Sequence, residues 1–164
     1  MQIQLTLALP RDELSIPVVR RILTSSMDVL GVQAECTAEV AVAVSEACTN
    51  VLEHAPGSVA YQVSVVIDDD RCVIEVLDVG AGFDAADLGI TTADVSAEEG
   101  RGIYLIREMV DRVGFASRPE HGTVVHLEKK LHWYEGSPIE RLAANEGPPL
   151  TATLPAQSTA DPLR

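Results

Sequence analysis

The segment that decides the fold runs from Ala43 to Ala55 and reads AVSEACTNVLEHA. It lies in a stretch from about Glu35 to His54 that is rich in alanine and valine and is followed by Pro56-Gly57. At 100° per residue, its polar side chains fall within an arc of roughly 100° and its small apolar ones on another side. The spacing therefore predicts a helix with one polar and one buried face. The polar positions are Glu39, Glu46, Asn50, Glu53 and His54, and the apolar ones are Val40, Val44, Ala47 and Val51.

Two of the polar residues stand out within that face. Glu46 and Asn50 are one helical turn apart and project together. Ala43 lies between them on the same arc, which leaves room for a ligand to approach. A carboxylate beside a carboxamide oxygen can orient a nucleophile and hold a hard cation such as Mg²⁺. A solvated helix face would give the same pattern, so the pattern alone leaves both interpretations open.

The flanking sequence predicts a sheet with helices around it. Alternating polar and apolar residues indicate strands, and apolar residues at helical spacing indicate helices. Ser15 is expected to cap the first helix, and Gly31 is expected to end it. Elements in this order predict an α/β sandwich with helices on one face of the sheet. Besides the helix at 35–54, the predicted elements are strands at 2–9, 59–67, 72–77, 114–117 and 123–131, and helices at 15–30 and 103–113.

Two glycine-flanked turns carry candidate ligand contacts. Asp78 ends a strand and is followed by Gly80 and Gly82, so its carboxylate can accept a hydrogen bond from an amino group where backbone approaches a ligand closely. Gly100-Arg101-Gly102 opens the next helix, whose free N–H groups and positive dipole end suit a phosphate. Taken alone, an ordinary strand-end turn and a flexible helix start are the more common explanations of the two patterns.

Composition narrows the function classes. The 164 residues are 46% hydrophobic and carry a formal net charge of −13. Such a chain has enough apolar residues for a core, and its charge disfavours binding to nucleic acid or to an anionic membrane. Three cysteines without a close pair, and no signal-peptide or membrane-spanning pattern, predict a cytoplasmic protein. Prolines accumulate near the end, which predicts a domain at 1–134 and a flexible tail at 135–164.

The order of these motifs resembles a known superfamily. EACTN at 46–50, DVGAG at 78–82, GRGIYLI at 100–106 and HGT at 121–123 are similar to the N-box, the two glycine boxes and the final threonine of GHKL ATPases. The stretch 43–55 resembles most closely the anti-sigma-factor serine kinases of the SpoIIAB and RsbW type. The resemblance covers residues 3 to 131 and implies the Bergerat-type fold, a two-layer α/β sandwich with a mixed, mostly antiparallel sheet.

The resemblance also implies a role for each motif residue. Glu46 would be the catalytic base for an incoming serine hydroxyl, and Asn50 would bind Mg²⁺ on the phosphates of ATP. Asp78 would accept the adenine amino group, with Gly80 and Gly82 shaping its turn and Thr123 supporting the same end. Gly100, Arg101 and Gly102 would belong to the lid over the phosphates.

The resemblance implies partners as well. The expected activity is that of an ATP-dependent protein serine kinase and anti-sigma factor in bacterial partner switching. It would bind a sigma factor, phosphorylate an anti-anti-sigma protein of the STAS type and, as is frequent in the family, form a homodimer. Arg20 and Arg21 lie on the helix expected to meet partners. The alternatives are an ATP-binding module that sequesters a partner without kinase activity, a small ATPase that uses water, and a detached histidine-kinase catalytic domain.

Overall fold

A computed structural model describes residues 2–54, 59–78, 100–118 and 122–144. No helix within these ranges is both long enough and apolar enough to cross a membrane. The elements in chain order are β1 (Ile3–Pro10), α1 (Ser15–Leu30), α2 (Ala34–His54), β2 (Ala60–Ile67), β3 (Arg71–Asp78), α3 (Gly100–Met109), β4 (Arg112–Arg118), β5 (Gly122–Lys130) and α4 (Pro138–Ala144).

The strands form one sheet in the order β1-β2-β3-β5-β4, and each neighbouring pair is antiparallel. β3 is therefore central, and its last residue, Asp78, pairs in register with Tyr61 of β2. On the other side of β3, Leu77 pairs with Val124 of β5. This arrangement places the end of β3 between two strands, where its side chains are shielded from solvent.

The core lies between the sheet and α2. Alternate residues of β2 are buried while those between them are only partly covered, as expected for a sheet with one face under helices. The apolar side of α2 that the sequence predicted is completely or almost completely buried, so the predicted two-layer α/β sandwich is confirmed. The buried residues of these two elements include Val40, Val44, Ala47, Val51, Tyr61, Val63, Val65 and Ile67.

The third helix ends earlier than the sequence predicted. The expected helix at 103–113 is wrong at both ends, because α3 spans Gly100–Met109 and β4 already begins at Arg112. The reason is the pairing with β5: the N–H of Asp111 donates to the carbonyl of Glu128, and its carboxylate accepts from the N–H of Lys130. These bonds take the chain out of the helix before Val113.

The predicted C-terminal end of α1 is confirmed, whereas the predicted N-terminal cap is wrong. Gly31 ends the helix in the left-handed conformation, with φ of 88°, as expected for a glycine after the last turn. Ser15 does not cap the N-terminus, because Leu14 occupies that position without a side-chain bond. The Ser15 hydroxyl instead donates to the carbonyl of Asp12 and lies 2.6 Å from the hydroxyl of Tyr61.

Ordered structure continues beyond residue 134, where the sequence placed the end of the domain. α4 follows, and Ser137 and Ile139 are buried at its start. The absence of a side chain at Gly31 allows this close packing, because a Cβ there would lie only 2.7 Å from the Cβ of Ser137. The predicted tail at 135–164 thus includes a short helix whose start, at Ser137 and Ile139, is buried, and residues 145–164 lie outside the described residues.

Candidate functional site

Three of the predicted site residues converge where α2 packs against the first turn of α3. A Cβ added to Gly102 would lie 2.8 Å from Oε2 of Glu46 and 3.5 Å from Oδ1 of Asn50. A contact of 2.8 Å is shorter than real Cβ contacts, so a side chain at position 102 would displace the Glu46 carboxylate. The structure thus brings a carboxylate, a carboxamide and a helix N-terminus together from two separate sequence motifs.

The Asn50 side chain is not saturated by the protein. Its Nδ2 is buried and has no hydrogen-bond partner among the described residues. A buried donor left without a partner costs about 1–3 kcal/mol, so the position suits an added ligand. Ala43, however, is completely buried, and the space predicted beside it is wrong. The described residue that lies against both Glu46 and Asn50 is Gly102 of α3.

The start of α3 supplies the environment for a phosphate. Gly100 and Arg101 are its first two residues, and the first turn contains no acidic side chain. The leading N–H groups of a helix have no partner within it, and the dipole favours negative charge there. Because Glu46 and Asn50 lie against Gly102, an anion bound at the N-terminus of α3 would lie close to both side chains.

The oxygen donors at this position fit a magnesium–phosphate complex. Within the described ranges, no cluster of three or more histidine, cysteine, aspartate or glutamate residues is arranged to hold a metal ion. Mg²⁺ commonly keeps several waters and takes one or two protein oxygens together with substrate phosphates. Oδ1 of Asn50, beside the start of α3, provides one such oxygen without a dedicated protein cage.

Asp78, at the end of β3, is a further predicted site residue with an unusual environment. It is only 3% exposed, and its Oδ1 has no hydrogen-bond partner among the described residues. The guanidinium Nη1 of Arg11 lies 3.8 Å from its Oδ2. A buried carboxylate with a free acceptor oxygen and a nearby cation can bind an amino group strongly. The sequence interpretation missed Arg11, since a single basic residue after a strand carries no distinctive pattern.

The other predicted residues differ in how far the structure describes them. Gly80 and Gly82 lie outside the described residues. Thr123 is in β5 directly before Val124, which pairs with Leu77, so its backbone lies beside the end of β3. The predicted grouping of Thr123 with Asp78 is therefore consistent with the register of the two strands.

Two buried groups in the core, Cys48 of α2 and Tyr61 of β2, are held in their neutral forms at neutral pH. Burial raises the pKa of Cys48 to about 12, against a smaller lowering effect of its hydrogen bond with Tyr61. Burial likewise raises the pKa of Tyr61 to about 12. Glu46, in contrast, is only partly buried and lies against Gly102.

Comparison with known proteins is consistent with this geometry. The family described as the histidine kinase-like ATPase domain matches residues 9–129. The chain is 35% identical over 101 residues to an anti-sigma F factor of Pasteuria penetrans, covering 57% of this chain and 67% of the relative. It is also 35% identical over 130 residues to the serine-protein kinase RsbW of Bacillus pumilus, covering 70% of this chain and 78% of the relative.

A solved structure has the same fold. The crystal structure of the RsbU and RsbW domains of a Mycobacterium tuberculosis protein superimposes with a TM-score of 0.60 at 18% identity. The match covers 79% of this chain but only 32% of that one, so this chain spans about a third of that protein's length. At this identity the similarity concerns the fold alone.

Proposed function

This chain belongs to the histidine kinase-like ATPase domain family, and we propose that it is an ATP-dependent protein serine kinase and anti-sigma factor. The observation that carries the proposal is the contact of Gly102 with Glu46 and Asn50. The proposal is supported by a candidate base and a candidate metal ligand close to a helix N-terminus suited to phosphate, in a chain similar to serine-protein kinases. A protein that only binds nucleotide has no need of the carboxylate.

Phosphoryl transfer requires positioning and charge neutralisation rather than covalent chemistry by the protein. Glu46 accepts the proton of the attacking serine hydroxyl and orients its oxygen, a role typically worth about 10²–10⁴ in rate. The first N–H groups of α3 hold the phosphates, and Oδ1 of Asn50 is the protein ligand of Mg²⁺. When bound, Mg²⁺ neutralises charge on the phosphate oxygens.

The adenine base of ATP binds to Asp78. Its free Oδ1 accepts a hydrogen bond from the 6-amino group of adenine. The backbone of Thr123, at the start of β5, lies beside this end of β3. Gly80 and Gly82 are proposed to shape the turn after Asp78, and Gly100 and Arg101 to form part of the cover over the phosphates. ATP is thus held at two ends, by β3 and by α3.

The proposed partners meet α1. An exposed groove on this helix combines apolar side chains with two arginines, in a chain whose overall charge is −13. We propose that it binds the sigma factor and the anti-anti-sigma protein of the STAS type in the cytoplasm, and that the chain forms a homodimer. A basic patch on an acidic protein steers an acidic partner. The groove is lined by Pro17, Val18, Arg20, Arg21, Ile22 and Thr24.

Transfer of labelled γ-phosphate from MgATP into proteins of the source cell's lysate tests the proposal. The wild-type protein is compared with Glu46→Gln, which keeps the size and polarity of the side chain but removes the base. We expect one small acceptor protein labelled on serine, in an acid-stable form, by the wild type only. Equal labelling by both proteins would reject Glu46 as the base.

The same experiment separates the alternative functions. Normal ATP binding without any labelled protein would indicate a module that sequesters its partner without kinase activity. Release of free phosphate with no acceptor would indicate an ATPase that uses water. Acid-labile label would indicate transfer to histidine.

A further inference from the structure

Arg11 joins the ends of three elements. It follows β1 directly, and its backbone N–H donates to the carbonyl of Val59, just before β2. Its guanidinium Nη2 donates to the carbonyls of Val51, at 3.2 Å, and of Leu52. These carbonyls belong to the last turn of α2, where carbonyl groups have no partner within the helix. An arginine at this end also interacts favourably with the helix dipole.

The same guanidinium faces Asp78. Nη1 lies 3.8 Å from Oδ2 of the carboxylate, which is close enough for strong attraction but too long for a hydrogen bond. Within the described part of the chain, neither this Nη1 nor Oδ1 of Asp78 has a hydrogen-bond partner. Arg11 therefore supplies charge to the carboxylate while leaving one of its oxygens free for a ligand.

Burial makes that charge necessary. The Arg11 side chain is 17% exposed and that of Asp78 is 4% exposed, so water screens the pair weakly. A buried carboxylate without a countercharge costs several kcal/mol of lost solvation. The nearby guanidinium offsets this cost and holds the carboxylate in place for an amino group.

We propose that Arg11 is a positioning residue for recognition of the adenine base: it compensates the charge of Asp78 and aligns the carboxylate to accept the 6-amino group of adenine. The inference rests on the proposed ATP site. It also gives a physical link between the two halves of that site. Val51 follows Asn50 directly, so one guanidinium ties the base-binding carboxylate to the helix that carries Glu46 and Asn50.

The preference for ATP over a nucleotide without the 6-amino group tests this role more sharply than ATP affinity alone. The ligands are MgATP and the magnesium complex of purine riboside triphosphate, which has hydrogen in place of the 6-amino group. Their dissociation constants are measured by titration calorimetry for the wild type, Arg11→Gln and Arg11→Lys. Glutamine keeps a donor for the α2 carbonyls without the charge, and lysine keeps the charge. Arg112→Gln, at a largely exposed arginine 3.9 Å from Glu128, is the matched control.

We expect the wild type to prefer ATP over the analogue by roughly tenfold or more, the range of a charge-assisted hydrogen bond. Arg11→Gln should lower ATP affinity about tenfold and leave the analogue nearly unchanged, so the preference collapses. Arg11→Lys and Arg112→Gln should keep the preference. If Arg11→Gln weakens both ligands equally, Arg11 only supports the fold and the inference is overturned.

Asp78→Asn distinguishes failure of this inference from failure of the ATP site. A wild-type preference for ATP in Asp78→Asn would reject the adenine assignment itself. Loss of preference in Asp78→Asn but not in Arg11→Gln would reject only the role of Arg11. In the double variant we expect no further loss beyond Asp78→Asn, because both changes act on one contact. If Arg11→Gln does not fold, Arg11→Lys carries the test, and a lost preference with retained analogue affinity would overturn the charge argument.

Discussion

A side chain at Gly102, in the first turn of α3, would meet the Glu46 carboxylate, which makes Gly102→Ala an informative change. The new Cβ would lie 2.8 Å from Oε2 of Glu46, whereas ordinary contacts begin at about 3.4 Å. One of the two groups must therefore move by about 0.6 Å, the difference between these distances. The contacted atom is the end of a flexible side chain, so the carboxylate moves and the backbone keeps its place.

Gly102→Ala should lower the rate of phosphate transfer without lowering the stability of the fold. A displacement approaching 1 Å at a reacting group costs up to about 10²-fold in rate, so transfer should fall roughly 10- to 100-fold. Alanine is favoured over glycine within a helix by about 0.5–1 kcal/mol, so thermal stability should not fall. ATP affinity should change little, since Asp78 and the backbone N–H groups of α3 are untouched.

Single-turnover phosphate transfer to the acceptor protein, ATP titration and thermal unfolding measure these three quantities. Arg107→Ala, at an exposed position of the same helix, is the control for changes in helix propensity. Wild-type transfer by Gly102→Ala would show that α3 does not lie against Glu46 during the reaction, and the geometric argument for the site would be refuted. A drop in transfer with a parallel drop in stability would refute the argument that only the carboxylate moves.

Two further predictions follow from the pKa shifts. Burial raises the pKa of Cys48 and of Cys72 to about 12, so neither thiol should react with iodoacetamide at pH 8 in the native protein, and mass spectrometry should find both modified only after unfolding. The hydrogen bond from His126 lowers the pKa of Glu75 below its ordinary value of 4.5, so this pair should stabilise the fold above that pH and lose its effect as the pH falls through the lowered pKa. Urea unfolding of Glu75→Gln should accordingly show a loss of about 0.5 kcal/mol at pH 7 that disappears in acid; a constant difference at all pH values would contradict the charge argument.

Local patterns were sufficient to predict most of the fold. Strands such as β2 alternate strictly between buried and partly covered residues, and α2 presents its apolar residues at helical spacing, so periodicity identifies both. The end of α3 was not predictable in this way. It depends on bonds between Asp111 and β5, which join residues far apart in the sequence. The packing of α4 similarly depends on the contact between Gly31 and Ser137.

The candidate site shows the same division between local and long-range information. Glu46 and Asn50 share a helix turn, so their proximity follows from sequence spacing, but the position of Gly102 above them depends on how α3 packs. Arg11 is the extreme case, because its importance arises only where β1, α2 and β3 end together. Among the carboxylates that the structure describes, Asp78 is the one buried beside a cation. The role proposed for Arg11 in recognition of adenine therefore rests on a tertiary contact that no motif in either segment encodes.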